Sequence, residues 1–496
     1  MPLKVLVLRT VNQWRGLRGA ENMNTSPEIS AFYEEEFRDT IATVDANGKR
    51  IWLHPKKPKG SFHNKRIVSS VIFLAIFFST PFIKIEGQPL LMMNIFERKF
   101  VIFGQPFFPQ DFVLFGIGMI TFFVFIILFT VVYGRFWCGW ACPQTVFLEM
   151  IFRKIEYWIE GDAHQQYKLD SGQWTSEKIR KKTLKHFIYI VFSLIIAHFT
   201  IAYIIGIEET INIVAVSPAE HWSGFIGIIV FTALFYLVFT RLREQVCIAI
   251  CPYGRLQGVV MGRGTMAVMY DFVRGEPKSK HIKNPEKAIS QAKYGDCIDC
   301  TLCVQVCPTG IDIRNGTQLE CINCTACIDA CDDVMIKIYK PKGLIKYASQ
   351  ESIKNRVPFK MSTRAYAYSV VLVLLVAVEA YLLINRPMVE TTIMRVPGQM
   401  YQEQPNGIIS NLYNVQFINK TSEPIVLTLK VANNKAIIRI QGGNLNVPMQ
   451  GRADAVFFLD IPKKQIIDIK TPLNIEVYNG TTLVETIKTN FLGPEE

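Results

Sequence analysis

The sequence predicts an α-helical membrane protein of five spans, with a cysteine-rich domain inserted before the fifth span and an all-β sandwich at the C-terminal end. Three observations predict it. The 496-residue chain holds five apolar runs of membrane-crossing length and two C-x2-C-x2-C-x3-C motifs in one basic insertion; apolar and polar residues alternate through 385–496. A chain this long is expected to form several units.

Half of the chain is hydrophobic and its formal net charge is +12. Basic charge beside long apolar runs marks loops facing anionic lipid, so membrane lipid is an expected partner and nucleic acid is not. The twelve cysteines fall at short intervals, the pattern of metal ligation in a reducing compartment rather than of a disulfide framework. The opening MPLKVLVLRT has too short an apolar stretch for a signal peptide, and Met23 is the expected translation start.

A bilayer core takes about 20 helical residues. The runs at 67–85, 112–133, 187–207, 224–240 and 365–384 meet that length, with Pro81 expected to kink or end the first and His221 and Trp222 to extend the fourth. Lys56, Lys57, Lys59, Lys65 and Arg66 precede the first span. Arg135, Arg153, Lys154, Arg180, Lys181 and Lys182 lie between the second and third, whereas 208–223 carries Glu208 and Glu209 and no Lys or Arg. Basic loops stay inside. The N-terminus and the insertion are therefore expected in the cytoplasm, and the C-terminal part in the periplasm of a bacterial inner membrane. The expected division is a cytoplasmic segment 1–66, four spans 67–264, the cysteine-rich domain 265–364, the fifth span 365–384 and the periplasmic domain 385–496. That last domain has about seven alternating runs, among them YNVQFIN, EPIVLTLKV and AVFFLDI, separated by turns such as QGGN and NGTT, and reads as an immunoglobulin-like sandwich without cysteine.

CIDCTLCVQVCPTG at 297–310 and CINCTACIDACD at 321–332 have the spacing of bacterial 2[4Fe-4S] ferredoxins, in which the fourth cysteine of each run serves the other cluster. By that rule Cys297, Cys300, Cys303 and Cys331 hold one [4Fe-4S] cluster; Cys321, Cys324, Cys327 and Cys307 hold the other. Zinc is the alternative, since Cys-x2-Cys pairs also bind it. Asp332 stands where the first run has Pro308, a difference that bears on solvent access rather than on ligation.

Four cysteines remain, in FWCGWACPQT at 136–145 and VCIAICPYGR at 246–255. Cys138, Cys142, Cys247 and Cys251 form two C-x3-C-P copies, each just past a span. Pro143 and Pro252 are expected to open helices with Cys142 and Cys251 at the N-cap, and the run after Pro143 has the mixed polarity of a helix on the membrane surface. Helix N-termini and nearby Arg135, Arg241 and Arg243 favour thiolate. Repeated halves tend to build one site at their interface. Three readings stay open: a bound metal centre, either copper or a further iron-sulfur cluster; a redox-active dithiol pair; and cysteines that fill space. His186, His198 and His221 read as interfacial or hydrogen-bonded, Glu379 as an intramembrane carboxylate that either moves protons or snorkels outward, and Met92 and Met93 as isolated methionines on the outer side.

Together with KPKGLIKYAS at 340–349, these motifs in this order resemble the cytochrome c oxidase accessory protein family known as CcoG, FixG or RdxA. The resemblance runs from about Glu34 nearly to the C-terminus. It implies a role in assembling cbb3-type haem-copper oxidase by reducing Cu(II) to Cu(I), with oxidase subunits or copper chaperones and transporters as partners and an electron donor that it does not name. The eight ferredoxin-type cysteines carry over as cluster ligands, and the four membrane-edge cysteines match the family's membrane motifs as candidate catalytic groups. Two other functions fit the residues. One is a quinol-linked subunit similar to the membrane ferredoxins of nitrate or nitrous oxide reductase systems, although those lack the sandwich; the other is an assembly scaffold with structural clusters. No G-x-G-x-x-G fingerprint speaks for a nucleotide cofactor.

Overall fold

The structure is a computed structural model that describes residues 43–44, 49–85, 87–96, 99–108, 111–279, 294–398, 400–405, 407–421, 423–432, 436–443, 445–466 and 468–494. The expected start at Met23 lies outside them. Among the described residues five helices are long and apolar enough to cross a membrane: Ser61–Phe82, Phe112–Tyr133, Ser176–Ile205, Trp222–Leu242 and Thr363–Ile384. The second matches the apolar run residue for residue. The first and third begin earlier, because a helix extends beyond its apolar stretch wherever the flanking residues also favour it. Pro81 ends the first span, sitting in the 3-10 turn Thr80–Phe82. The chain is a membrane protein.

Two compact units share these helices: residues 1–71, 129–187 and 238–363 form one, and 72–128, 188–237 and 364–496 the other.

The first unit contains the cysteine-rich domain. A two-stranded antiparallel sheet pairs Ala267–Tyr270 with Ile345–Ala348, and the helices Leu302–Gln305 and Ala326–Lys337 each begin just before the third cysteine of a run. Val268, Tyr270, Ile311, Ile313, Ile328, Met335 and Leu344 form its core, with Cys297 and Cys303 buried among them. So few apolar side chains in so short a stretch leave room at the centre for a bound group.

In the second unit the connection after the first span, expected as an outer loop, folds into a small antiparallel sheet of Leu91–Asn94, Lys99–Ile102 and Gln105–Phe107. The C-terminal domain is an immunoglobulin-like sandwich. One sheet runs Ile437–Gly443, Arg452–Pro462, Ile408–Asn419, Val389–Arg395, with Gln402–Gln404 also on Ile408–Asn419; the other runs Asn446–Val447, Ile425–Val431, Lys470–Asn479, Thr482–Leu492. Period-two alternation does what it should. Along Arg452–Pro462 the side chains of Ala453, Ala455, Phe457, Leu459 and Ile461 all turn inward. Tyr413 stacks on Phe457 at 5.4 Å and donates its hydroxyl to Asn490 O at 2.9 Å, which satisfies the polar tip of a fully buried ring.

Candidate metal centre

The two ferredoxin-type runs fold alike at the backbone. Asp299 and Thr301 take φ of 49° and 57°, and their counterparts Asn323 and Thr325 take 53° and 64°. Left-handed non-glycine residues are costly and persist where a function needs them. Here they turn main-chain N-H groups toward sulfur: Asn323 N-H bonds Cys321 and Ala326 N-H bonds Cys324. Cys331 lies beside Cys297, Cys300 and Cys303. Cys307 lies with Cys321, Cys324 and Cys327 around a small cavity that Ile311, Ile313 and Thr325 also line and that Cys303 of the first run reaches. The topology thus exchanges the last cysteine of each run. Cys300 is exposed, whereas the other eleven cysteines are buried or half-buried.

At the membrane edge, Cys142 and Cys251 are N-caps in extended conformation, followed by Pro143 and Pro252 at the helix start. This is the expected arrangement. Cys138, Cys142, Cys247 and Cys251 come near enough for their charges to interact. The expected bias toward thiolate does not survive folding. Burial pushes the Cys138 thiol up to about 11 and raises Cys142 and Cys247 as well, outweighing the hydrogen bonds and Arg135 that act the other way. Arg135 also donates to Gly254 O at 2.5 Å and Arg243 pairs with Glu156 at 2.6 Å, and the charge of Arg135 near the sulfurs is outweighed by their burial. Any cationic group these thiols hold must displace their protons.

The run after Pro143 buries one face, with Phe147, Leu148, Phe152, Arg153 and Glu156 buried and Lys154 and Trp158 exposed. Glu156 pairs with Arg243 and Lys185, Arg153 with Glu149 and Glu244, and Arg50 with Glu244 at 2.7 Å. Phe152 stacks on Phe239 at 4.3 Å. Gln144 Nε2 adds a bond to Arg243 O at 3.4 Å.

This doubled motif packs directly on the second ferredoxin-type run. Gly139 lies so close that a Cβ there would come within 2.5 Å of Ile322 O and 2.7 Å of Asn323 O, and Arg66 Nε donates to Gly139 O at 2.6 Å. Trp140 Nε1 donates to Tyr347 OH at 2.9 Å, and Tyr347 donates onward to Asn323 O at 3.1 Å. Cys138 packs against the apolar group of Val306, Ile322, Cys324 and Ala326. Sequence reasoning missed Arg66, Gln257, Asn323 and Tyr347, whose roles depend on partners far away in the chain.

The donor chemistry can be tested against iron and sulfide. The cavity among Cys307, Cys321, Cys324 and Cys327 has a mainly apolar lining, and Asn323 Nδ2, fully buried, has no hydrogen-bond partner among the described residues. Both features fit a group that is bulky, soft and able to accept N-H bonds. Comparison with known proteins bears on the same residues. Residues 242–350 match the family model described as a 4Fe-4S dicluster domain, 115–161 match a 4Fe-4S binding domain, and 380–494 match the IG-like fold at the C-terminal of FixG. Protein RdxA of Cereibacter sphaeroides is 33% identical over 440 residues, 85% of this chain and 91% of that one. The chain belongs to the FixG/RdxA family. Protein RdxB of the same organism is 34% identical over 77% of this chain and 82% of its own. Nitrogen fixation protein FixG of Rhizobium meliloti is 37% identical over 61% of this chain and 58% of its own. A crystal structure of a FixG-related protein from Vibrio parahaemolyticus aligns with a TM-score of 0.18 at 17% identity, covering 21% of this chain and 95% of that one.

As a FixG/RdxA protein the chain is an iron-sulfur electron-transfer protein of the membrane. The first C-x3-C-P copy falls inside the 4Fe-4S binding match and the second inside the dicluster match. His198, Glu379, Met92 and Met93 lie in the second unit. His198 Nδ1 meets Leu194 O at 2.7 Å within its own helix. Glu379 lies against Gly118, where a Cβ would be 2.9 Å from its carboxylate. Met92 is buried and Met93 half-exposed.

Proposed function

We propose that this protein reduces Cu(II) to Cu(I) at a bacterial inner membrane, in support of cbb3-type oxidase assembly, with its cysteine-rich domain in the cytoplasm and its sandwich in the periplasm. One observation carries the reading. Cys138 packs against Ile322 and Cys324, and Cys142, Cys247 and Cys251 lie within charge-interaction range of one another and of Cys138, which supports a soft-ligand site that prefers Cu(I) beside the shell of an iron-sulfur site. Cys297, Cys300, Cys303 and Cys331 would hold one [4Fe-4S] cluster; Cys321, Cys324, Cys327 and Cys307 the other. When bound, these groups supply one-electron storage. The protein's own contribution is to bury the ligands, aim N-H groups of the left-handed turns at sulfur, and fix Cys138 against Ile322 through Gly139 and the Trp140–Tyr347–Asn323 bonds. Cys138, Cys142, Cys247 and Cys251 would receive copper as substrate or hold a further centre. Oxidase subunits, copper chaperones or transporters are the proposed partners.

The test is Cu(II) reduction by the anaerobically purified, reduced protein, read with a Cu(I)-specific chelator. Changing Cys138, Cys142, Cys247 and Cys251 together to Ala should abolish it while iron at the other eight cysteines remains. An unchanged rate would refute the assignment. A quinol-linked role is favoured by a different observation, a cavity of about 310 Å³ lined by Arg135, Met261, Gln318, Glu320 and Cys321, large enough for a small ring beside a cluster cysteine. Quinol oxidation without copper turnover would select that reading.

A further inference from the structure

The segment before the first span is a strap across the cysteine-rich domain. Lys56 N donates to Gln305 O at 2.8 Å, and Gln305 Nε2 donates to Thr301 Oγ1 at 3.1 Å, so the strap is tied to the residue next to the exposed Cys300. Leu53 packs against Gly310. Farther along, Phe62 N and His63 N donate to Asp329 at 3.0 Å and 2.7 Å, which neutralises the carboxylate with main-chain donors. The strap's own cations are left over. Lys56, Lys57 and Lys59 are exposed, Lys154 is exposed near Lys57 and Arg66, and among the described residues none of these lysines has an ion-pair partner. Ile51 and Trp52 add apolar surface, each 43% exposed, with Arg50 stacked over the Trp52 ring at 4.2 Å. Exposed apolar side chains and exposed lysines on one short segment suit the surface of a transient protein interface. It lies where a cluster ligand reaches solvent.

We infer that the strap, through its exposed Ile51 and Trp52 and its exposed Lys56, Lys57 and Lys59 with the neighbouring Lys154, docks an acidic soluble one-electron carrier protein of ferredoxin or flavodoxin class beside Cys300. The inference rests on the iron-sulfur reading and names the donor class that reading leaves blank. The carrier loses one electron and the group held by Cys297, Cys300, Cys303 and Cys331 gains it. No bond or proton changes hands. Opposite charge accelerates such encounters and makes them depend on salt. Anionic lipid is the competing occupant of a basic segment before a span, but the hydrogen bonds bind the strap to the Cys300 loop, and Lys65, inside the first helical turn, is better placed for lipid.

The full chain is placed in nanodiscs of neutral phosphatidylcholine, with a plant-type ferredoxin as probe. Two readouts are taken at low ionic strength: equilibrium binding of oxidised ferredoxin, and the rate at which reduced ferredoxin reduces the protein. Changing Lys56, Lys57 and Lys59 together to Glu should weaken binding and slow reduction about tenfold or more, the difference closing in about 0.5 M salt. The Gln triple variant should fall between. Photoreduction by uncharged deazaflavin should be equal in all three, which separates failure of the docking from failure of the clusters. The proposal is overturned if ferredoxin binds and reduces wild type and the Glu variant alike, or if the Glu variant instead loses only its association with phosphatidylglycerol vesicles. It is equally overturned if wild type shows no salt-dependent binding.

Discussion

Gln257 Nε2 donates a hydrogen bond to Cys138 Sγ across 3.6 Å, joining the second membrane-edge copy to the first. Two further links run between the copies: Arg135 to Gly254 O at 2.5 Å and Arg243 to Glu156 at 2.6 Å. Each tie uses a polar group that is buried in the folded chain. Such ties specify geometry more than they add stability, because their desolvation offsets much of what they gain. Removing one partner is another matter.

Glu156→Gln should show this. Burial opposes charge on Glu156, yet Arg243, Lys185 and Arg153 outweigh it and hold the carboxyl at about 2, below the ordinary 4.5. The amide leaves those cations unbalanced in the interior, at an expected cost of about 3–5 kcal/mol. The pH sign follows from the lowered value: the stabilisation is complete above the unfolded carboxyl's pKa and disappears as pH falls from there through the folded value. Thermal unfolding in detergent from pH 7 to pH 3 should therefore decline more steeply for wild type than for the variant. Parallel curves would remove Glu156 from this role.

Much of this was legible beforehand. The five spans stand out because an unbroken apolar run has few other uses, and the paired cysteine runs because their spacing is a property of the local turn. The sandwich announced itself through the alternation at Ala453, Ala455, Phe457, Leu459 and Ile461. Arg66, Gln257 and Tyr347 were not legible, since each is defined by a partner more than 20 residues away, such as the 73 positions between Arg66 and Gly139. The thiolate expectation failed for a physical reason: proximity in sequence to Arg135 and Arg243 said nothing of where those side chains would be spent, nor of how deeply the sulfurs would be buried.

Gly139→Ala tests the junction between the membrane-edge thiols and the second run. Its Cβ would meet Ile322 O at 2.5 Å, and main-chain atoms cannot swing aside as a side chain would. Overpacking of this kind costs typically about 1–3 kcal/mol. The variant should still insert, with circular dichroism close to wild type, but lose iron from the Cys321, Cys324, Cys327 and Cys307 set before the other during mild oxidation. Wild-type iron retention would show that the turn yields.

Cys307→Ala and Cys331→Ala test the exchange of ligands between the runs. Cys307 gathers with Cys321, Cys324 and Cys327, and Cys331 with Cys297, Cys300 and Cys303. Each replacement should therefore disturb the site of the opposite run, with loss of up to about four iron per chain. Paramagnetic resonance of the reduced variants should show a different surviving signal in each. Identical spectra would mean that the exchange does not govern binding.

The last prediction concerns a charge cluster in the second unit. Asp111, immediately before the span Phe112–Tyr133, accepts from Arg386 at 2.5 Å and from Lys420 at 2.7 Å, and Lys420 also reaches Glu390 at 2.8 Å. Lys420 has a side chain only 2% exposed, so Lys420→Met leaves Asp111 and Glu390 short of a cation in a site water barely reaches. Burial alone would raise the Asp111 carboxyl, but the bonds from Arg386 and Lys420 outweigh it and hold the group below its ordinary value. The stabilisation is therefore present at neutral pH and lost as pH falls through that lowered value. Breaking the buried pair should cost about 3–5 kcal/mol, seen as faster hydrogen exchange in Val389–Arg395 and Ile408–Asn419, the strands that flank Glu390 and Lys420. Asp111→Asn should show a similar loss at pH 7 and a weaker dependence on acid. If both variants exchange at the wild-type rate throughout, the cluster is not what secures these strands.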